Sequence, residues 1–413
     1  MPAKLKMGGG IFELTWGTEQ ILIRADRLHE DSRYNVHCET AVKSTLPGVP
    51  EHIHQARVNL VSTTARRSLI KELEARAPLE ENRWAAIVEE FCIRVLNAYR
   101  QGEPVIQMAE HQVSDSLAWR LAPFLEEGQA TVFFGQGETG KTWVALLFGV
   151  AVAAPAPVLG LQGEPGRVLY LDYETRPDDT WRRLDMITAG LGIAIPDGFY
   201  YRQMLQTLAA DTEAIQREVV EKNIALVVVD SAALASLEPE TSAGATAYFQ
   251  ALRSLRCTTL TIAHTEASGK QDRPFGSIFW RNIPRANFRF RSNSDAGSPE
   301  LVVGIHQTKA NNNRRMRDLG VSLRFDGNNV VFARTDLADV DGLSATLSVR
   351  ERIIHLLKGG VLTSADIIEQ LDDVDPRQIR NALSKGSGSG KDFTMVGKDG
   401  PLLKWGLQVK DVP

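Results

Sequence analysis

The pattern of apolar and polar positions changes character three times along the chain. From the start to about residue 105, β-like runs (IFELTW, QILIRA, RYNVHCETAV, HQARVNLVST) precede ENRWAAIVEEFCIRVLNAYRQ, whose apolar residues recur at helical spacing. This predicts a small α+β domain over 1–105, and the polar stretch GEPVIQMAEHQVSDS reads as a linker. Between 116 and 337 the runs ATVFF, RVLYLD, ALVVVD and TLTIAH are short, β-branched or aromatic, and bounded by turn residues, with helical patterns between them. Such alternation predicts an α/β domain with a mainly parallel sheet. NFRFRS, ELVVGIHQ, VSLRF and VVFAR come next without intervening helices, which predicts antiparallel strands added to one edge.

The pattern shifts again over 345–408. SVRERIIHLLKGG predicts a helix closed by glycines, TSADIIEQL a helix capped by Thr363 or Ser364, and DPRQIRNALSKG a helix with Pro376 in its first turn. GSGSGKDFTMVGKDGPLLKWGL reads as a hairpin with a glycine-rich tip. Three short helices followed by a β-hairpin resemble a winged-helix domain.

Trp143 to Leu161 is almost wholly apolar and about long enough to span a bilayer. Pro155 and Pro157 would break such a helix, and the run starts directly behind a polar glycine turn. It reads as a core helix, so no membrane partner is expected.

Length and composition narrow the class. A chain of 413 residues holds two or three domains, and 43% hydrophobic with 24% charged residues is the make-up of a globular protein. A net charge of −4 gives no global basic field, so any nucleic-acid contact must be local. Cys38, Cys92 and Cys257 are far apart and odd in number, which fits a reducing compartment, and MPAKLKMGGG lacks the apolar core of a signal peptide. The expectation is a cytoplasmic protein.

The chemistry gathers in the central segment. Gly135-Gln136-Gly137-Glu138-Thr139-Gly140-Lys141-Thr142 fits G-x-x-x-x-G-K-[ST], with a strand pattern before it and a helical one after. Small residues there let backbone N–H groups cradle phosphates at a helix N-terminus. Lys141 would reach the β- and γ-phosphates and Thr142 would ligate Mg²⁺, so ATP and Mg²⁺ are the expected cofactors. Asp230, ending IALVVVD, is the second magnesium candidate. Hydrolysis further needs a group to orient and polarise water, and Glu174, two residues past Asp172, is available; the alternative is a solvated turn carboxylate.

A glutamate directly after the strand that follows the P-loop resembles the arrangement in RecA-like ATPases, whereas many other P-loop families place it beside the second acidic residue. That neighbour here is Ser231. The resemblance implies more. His264, ending TLTIAH, would contact the γ-phosphate and pass its state to the next loop, where Lys270 and Arg273 would touch DNA phosphates. Lys309, with Arg314 or Arg315, would reach a neighbouring subunit's nucleotide, although the spacing departs from K-x-R because position 311 is Asn. Over about 120–335 the chain looks like the hexameric replicative helicases of the RecA-like superfamily, particularly the compact plasmid and phage type.

Three functions stand as expectations. The first is a DNA-translocating ATPase, a replicative-type helicase working as a hexameric ring on single-stranded DNA alongside other replication or recombination proteins. The second is a recombinase coating single strands as a filament, and the third is a nucleotide-switched regulator. The set Lys141, Glu174 and Asp230 contains no arginine, which points to one from a strand at the sheet's outer edge, acting on the neighbouring subunit. A metal site at His37, Cys38, His52 and His54 finds no support in spacing. Arg377, Arg380, Lys385, Lys391 and Lys398 stand at DNA-contact positions of the winged-helix candidate, but Asp372, Asp373 and Asp375 precede them, which leaves protein contact equally open.

Overall fold

The computed structural model describes residues 3–80, 83–102, 105–110, 116–154, 158–265, 273–293, 298–340, 343, 347–388 and 391–408. The alternating N-terminal runs form strands β1 (Lys4–Gly8), β2 (Ile11–Trp16), β3 (Ile21–Glu30), β4 (Val36–Ser44) and β5 (His52–Asn59), paired in that order as an antiparallel meander. Helices α1 (Thr63–Arg76) and α2 (Arg83–Gln101) cover it, burying Leu73, Trp84, Ile87 and Phe91 against Leu14, Trp16 and Ile23.

The central segment begins with β6 (Trp119–Ala122), β7 (Leu125–Glu126) and β8 (Ala130–Gly135), then α3 (Lys141–Ala153). It continues through β9 (Gln162–Gly163), β10 (Arg167–Asp172), α4 (Pro177–Leu191), β11 (Phe199–Gln203), α5 (Thr212–Glu221) and β12 (Ile224–Asp230). Then come α6 (Ala232–Ala235), α7 (Ser242–Ser254), β13 (Thr258–His264), α8 (Phe279–Asn282), and strands β14 (Ala286–Asn293), β15 (Glu300–Ala310), β16 (Leu319–Asp326) and β17 (Asn329–Thr335). One nine-stranded sheet results, in the order β11-β10-β12-β13-β8-β14-β15-β16-β17. Apolar clusters fill both its faces, one around α3 and α4 and the other around α5 and α7. This is a mixed α/β protein with a large, mostly parallel sheet, the build of a P-loop NTPase core.

Two sequence expectations are corrected. NFRFRS is antiparallel on one side only: β14 pairs parallel with β8 and antiparallel with β15, so the part of the sheet that is antiparallel throughout begins at β15 and continues through β16 and β17. The chain between β13 and β14 is long enough for the crossover that a parallel strand requires. Lys309 does not sit on an outer strand, because β16 and β17 lie outside β15.

The long apolar run after the P-loop folds as α3 because it is enclosed between the sheet and its neighbours. Val144, Leu146, Leu147, Phe148 and Val150 are all fully buried there. Among the described residues no helix is long and apolar enough to cross a membrane.

The C-terminal segment comprises α9 (Val349–Lys358), β18 (Leu362–Thr363), α10 (Ser364–Gln370), α11 (Pro376–Lys385), β19 (Phe393–Asp399) and β20 (Leu402–Leu407), with its own core of Ile353, Ile367, Ile379, Leu383 and Phe393. Thr363 caps α10 in a capping box with Asp366. Ion pairs tie both flanking segments to the centre: Arg24–Glu221 at 2.7 Å and Arg217–Asp26 at 3.0 Å on one side, Arg317–Asp392 at 3.0 Å on the other.

Candidate nucleotide site

The site lies along the C-terminal ends of β8, β13, β12 and β10, and strand register sets its layout. His264 pairs with Gly135, Ile262 with Asp230, and Asp172 with Asp230. Because β13 lies between β8 and β12, the P-loop and the Asp230 strand are one strand apart.

Packing requires two of the P-loop glycines. A Cβ on Gly135 would stand 2.6 Å from the Phe290 carbonyl oxygen, and one on Gly140 would stand 2.8 Å from Val303 Cγ2 with φ at +76°. Gly137 faces open space, so the fold makes no steric demand for glycine there. Glu138 adopts φ +61°, and Gln136, Gly137 and Glu138 are exposed while Thr139, Gly140 and Lys141 are buried. The loop delivers the chain to the start of α3, whose first N–H groups and dipole favour an anion.

Lys141 Nζ donates to the carbonyls of Gly135 (3.1 Å) and Gln136 (2.5 Å) and to Thr139 Oγ1 at 3.2 Å. Burial pulls its pKa down to about 8, against the opposing pull of Asp230 and Glu174. Thr142 Oγ1 donates to Asp230 Oδ2 at 2.9 Å, and Tyr170 Oη donates to the same oxygen at 2.6 Å. Burial raises the Asp230 carboxyl to about 6, with those two hydroxyls working the other way. A hydroxyl and a carboxylate side by side are hard oxygen donors of the kind Mg²⁺ takes.

Glu174 reaches the same space. Ser231 Oγ donates to its Oε1, and His264 Nε2 stands 3.6 Å from that oxygen. The His264 imidazole, then Ser231 and Lys141, hold the Glu174 carboxyl below its ordinary range despite partial burial. Glu174 and His264 keep 38% and 42% of their side-chain surface, enough for a water or a ligand to reach both. A cavity of about 350 Å³ is bounded by Gly140, Lys141, Thr142, Glu174, Asp230 and His264, and also by Arg183.

Arg183 and Tyr170 are the two residues that sequence reasoning missed. The expectation that this set lacks an arginine is corrected: Arg183, on α4, lines the cavity from the same chain. It sits nine residues past Glu174 on an amphipathic helix, where nothing in the pattern separates it from solvated arginines such as Arg182. Tyr170 carries a weak signal, a single hydroxyl inside the otherwise apolar run of β10.

The other sequence candidates lie apart from the cavity. Lys309 pairs with Asn287 toward the start of β14, at the end of the sheet away from the P-loop, and its Nζ donates to the carbonyls of Asn282 (2.5 Å) and Pro284 (2.6 Å). Arg314 and Arg315 are exposed between β15 and β16. Arg273 donates to the Gly276 carbonyl at 3.3 Å, where the loop after β13 returns. That return is fixed by Phe275 N–H to the His264 carbonyl at 2.8 Å and Ser277 N–H to the Pro239 carbonyl at 3.0 Å. Lys270 lies outside the described residues.

A family model described as an AAA domain matches residues 105–270. The chain carries a P-loop ATPase domain there. The match covers less than half of the 413 residues and leaves the N-terminal meander and the C-terminal segment outside it. No curated protein matches the chain.

Proposed function

We propose that the protein is an ATP-driven motor on single-stranded DNA that works as a ring of identical subunits, most closely a replicative-type helicase. The observation that carries the reading is the contact between Glu174 and His264 at the tip of β13. Glu174 orients and polarises the attacking water, and His264 faces the cavity while its own carbonyl anchors the returning loop at Phe275. A change at the γ-phosphate is thereby transmitted to the segment from Thr265 to Ser277, where Lys270 and Arg273 contact DNA phosphates.

Thr142 and Asp230 would hold Mg²⁺, which when bound neutralises charge on the β- and γ-phosphate oxygens. Lys141 and the N–H groups of Gln136 to Thr142 bind the phosphates, and Arg183 faces them from α4. Arg314 and Arg315, remote from their own cavity, meet the nucleotide of a neighbouring subunit, with Lys309 bracing the strand that presents them. The C-terminal three helices and hairpin have the build of a winged helix.

Imaging with a non-hydrolysable ATP analogue and single-stranded DNA tests the reading directly. Closed rings, with strand-displacement activity in ATP, are the expected result. Helical filaments would replace it with the recombinase reading, and monomers without DNA-stimulated turnover would leave a nucleotide switch.

A further inference from the structure

The N-terminal domain meets the central one along a seam of alternating charge. Glu213, Arg217 and Glu221 stand four residues apart on α5, so they line one face of the helix. Arg24, Asp26 and Arg27 of β3 face them in reverse order. Arg24 meets Glu221 at 2.7 Å, Asp26 meets Arg217 at 3.0 Å and Arg27 meets Glu213 at 3.8 Å. Arg24 and Asp26 share a face of the sheet because they are two residues apart, whereas regular alternation would put Arg27 on the other face. A backbone at φ +52° turns Arg27 to this side, where the ladder with β4 shifts between Asp26 and His29. A left-handed conformation is costly for an arginine, and its result here is the third ion pair.

No apolar core spans this seam. The buried cluster of the N-terminal domain is drawn from residues between Ala3 and Val95, and α5 turns Ile215 and Val219 inward to the central sheet. Gly9 and Gly10, at φ +56° and +74°, let the β1–β2 turn rest on α5, where a Cβ on Gly9 would stand 3.1 Å from Val220 Cγ2. A cavity of about 240 Å³ remains between Phe12, Tyr99, Gln216 and Arg217. Arg24 Nε and Nη2, Asp26 Oδ1 and Arg217 Nε are buried without a hydrogen-bond partner, and water would satisfy them if the seam opened. The other charges nearby are engaged on their own side. Glu39 holds Arg27 at 2.9 Å, Glu218 holds Lys222 at 2.7 Å, Arg57 meets His29 at 2.7 Å, and Lys6 is the register partner of Glu13.

We infer that the N-terminal domain is a detachable module, clipped to α5 by this charge latch and released from it with both domains still folded. Ion pairs that keep access to solvent contribute little each and are screened by salt. Small polar interfaces between domains leave relative motion the default. What the alternation supplies is register: a shift of one turn along α5 would set Arg24 against Arg217 and Asp26 against Glu213. Residues 102–118 join α2 to β6, and at about 3.3 Å per residue they reach far enough for the domain to swing clear. The latch requires no nucleotide and shares no residue with the cavity at Lys141, so it does not rest on the ring-motor reading.

The test reads an intrachain distance in the full chain, by energy transfer between two dyes attached through unnatural amino acids at exposed Thr15 and Glu240. Labelled chain is diluted into unlabelled chain, so that only intrachain pairs report. In the parent, transfer should fall as salt is raised from about 0.05 M to about 1 M. R24E/D26R and R217E/E221R each set like charges face to face. Either should lower the ratio of docked to free domain by about tenfold or more at low salt. All four substitutions together restore both attractions across the seam and the Arg24–Asp26 attraction within β3, and should return transfer to the parent level. Parent-level transfer in both reversals would overturn the inference and make the two domains one rigid body. A loss that the fourfold variant does not recover would overturn it too, because something other than these pairs would then hold the seam. Should either reversal fail to fold, the parent decides alone: transfer that stays flat across that salt range overturns the inference.

Discussion

Asp172 and Asp230 look alike in the sequence and stand opposite each other in the sheet, yet they face different tasks. Each ends a buried apolar strand, and they are register partners between β10 and β12. Asp172 accepts from the N–H groups of Glu174 and Thr175, both at 2.9 Å, from Thr175 Oγ1 at 2.6 Å and from Thr180 Oγ1 at 2.8 Å. Its four donors come from its own following turn and helix, so it shapes the loop that carries Glu174. Asp230 takes its donors from elsewhere, Thr142 on the P-loop helix and Tyr170 on the neighbouring strand, and it borders the cavity. The difference lies in the residues just past each strand: a turn rich in donors saturates one carboxylate, while Ser231 after Asp230 turns its hydroxyl to Glu174 instead. A strand-terminal aspartate becomes a site residue when its partners belong to other elements.

The largest effects should come from the groups that Asp230 and Asp172 respectively adjoin. Lys141→Ala removes the buried cation in the phosphate cradle and should cut ATP turnover by about 10²–10³-fold or more. Glu174→Gln keeps shape and nucleotide binding but should lose about 10²–10⁴-fold in hydrolysis. Single-turnover assays with separately measured nucleotide affinity check both. Turnover near the parent level in the glutamine variant would move the water-activating role to another carboxylate.

The two aspartates themselves should then part company. Asp172→Asn places an amide among four donors and should destabilise the central domain by about 2–4 kcal/mol. Asp230→Asn should abolish magnesium-dependent hydrolysis yet stabilise the nucleotide-free protein at neutral pH. The sign comes from burial raising the Asp230 carboxyl to about 6, so the folded state holds this proton more tightly than the unfolded one. The parent should therefore lose stability from this group as pH rises from about 4 to about 6, a total of about 3 kcal/mol. Denaturant unfolding at pH 4.5 and 7.5 reads it: the advantage of Asp230→Asn should be present at the higher pH and shrink at the lower. A destabilised Asp230→Asn at pH 7.5 would show that its two hydroxyl donors outweigh its burial.

The arginines extend the same contrast from one chain to two. Arg183 borders its own cavity, whereas Arg314 and Arg315 lie beyond β15 and outside it. An arginine serving the transferring phosphate is worth on the order of 10³–10⁵ in rate. If the proposed sharing holds, Lys141→Ala subunits and Arg314→Ala/Arg315→Ala subunits are each nearly inactive, and mixed assemblies regain part of the ATPase activity. No recovery in demonstrably mixed oligomers would assign that work to Arg183 alone, and Arg183→Ala would then carry the full loss.

How much of this is legible in the sequence depends on whether a residue's partners are local. The P-loop and its helix are legible because Gly140, Lys141 and Thr142 act through adjacent backbone. The positions Glu174, Asp230 and His264 are legible because each ends or closely succeeds a continuous apolar run. The direction of β14 is not, since it depends on where a long connection emerges rather than on any pattern within NFRFRS. Arg183 is hidden because helical spacing gives it the same standing as its solvated neighbours, and only the packing of α4 against the sheet sets it at the cavity. Lys309 is misplaced for a related reason: the number of strands beyond it, not its own surroundings, decides whether it sits at an edge.

The smallest expected effect concerns how Asp230 is held. Tyr170 is buried on β10, stacked on Phe199 and Tyr201 with ring planes 29° and 13° apart, so its ring cannot swing away from Asp230. Its hydroxyl fixes the oxygen that Thr142 also contacts, which makes it a positioning residue rather than one that meets the nucleotide. Tyr170→Phe keeps the ring and removes one neutral-to-charged hydrogen bond, worth about 1.5–3 kcal/mol when the acceptor is ionised. Part of that should be recovered by Asp230 turning toward its remaining donor, so turnover should fall by roughly tenfold or less. The expected signature is a higher magnesium requirement at nearly unchanged nucleotide affinity, because the ring and the P-loop are untouched. It should be joined by a further rise of the Asp230 carboxyl, read as a shift of the acid limb of the turnover profile to higher pH. A uniform fall in turnover with the magnesium requirement and the pH limb unmoved would reduce Tyr170 to a packing role.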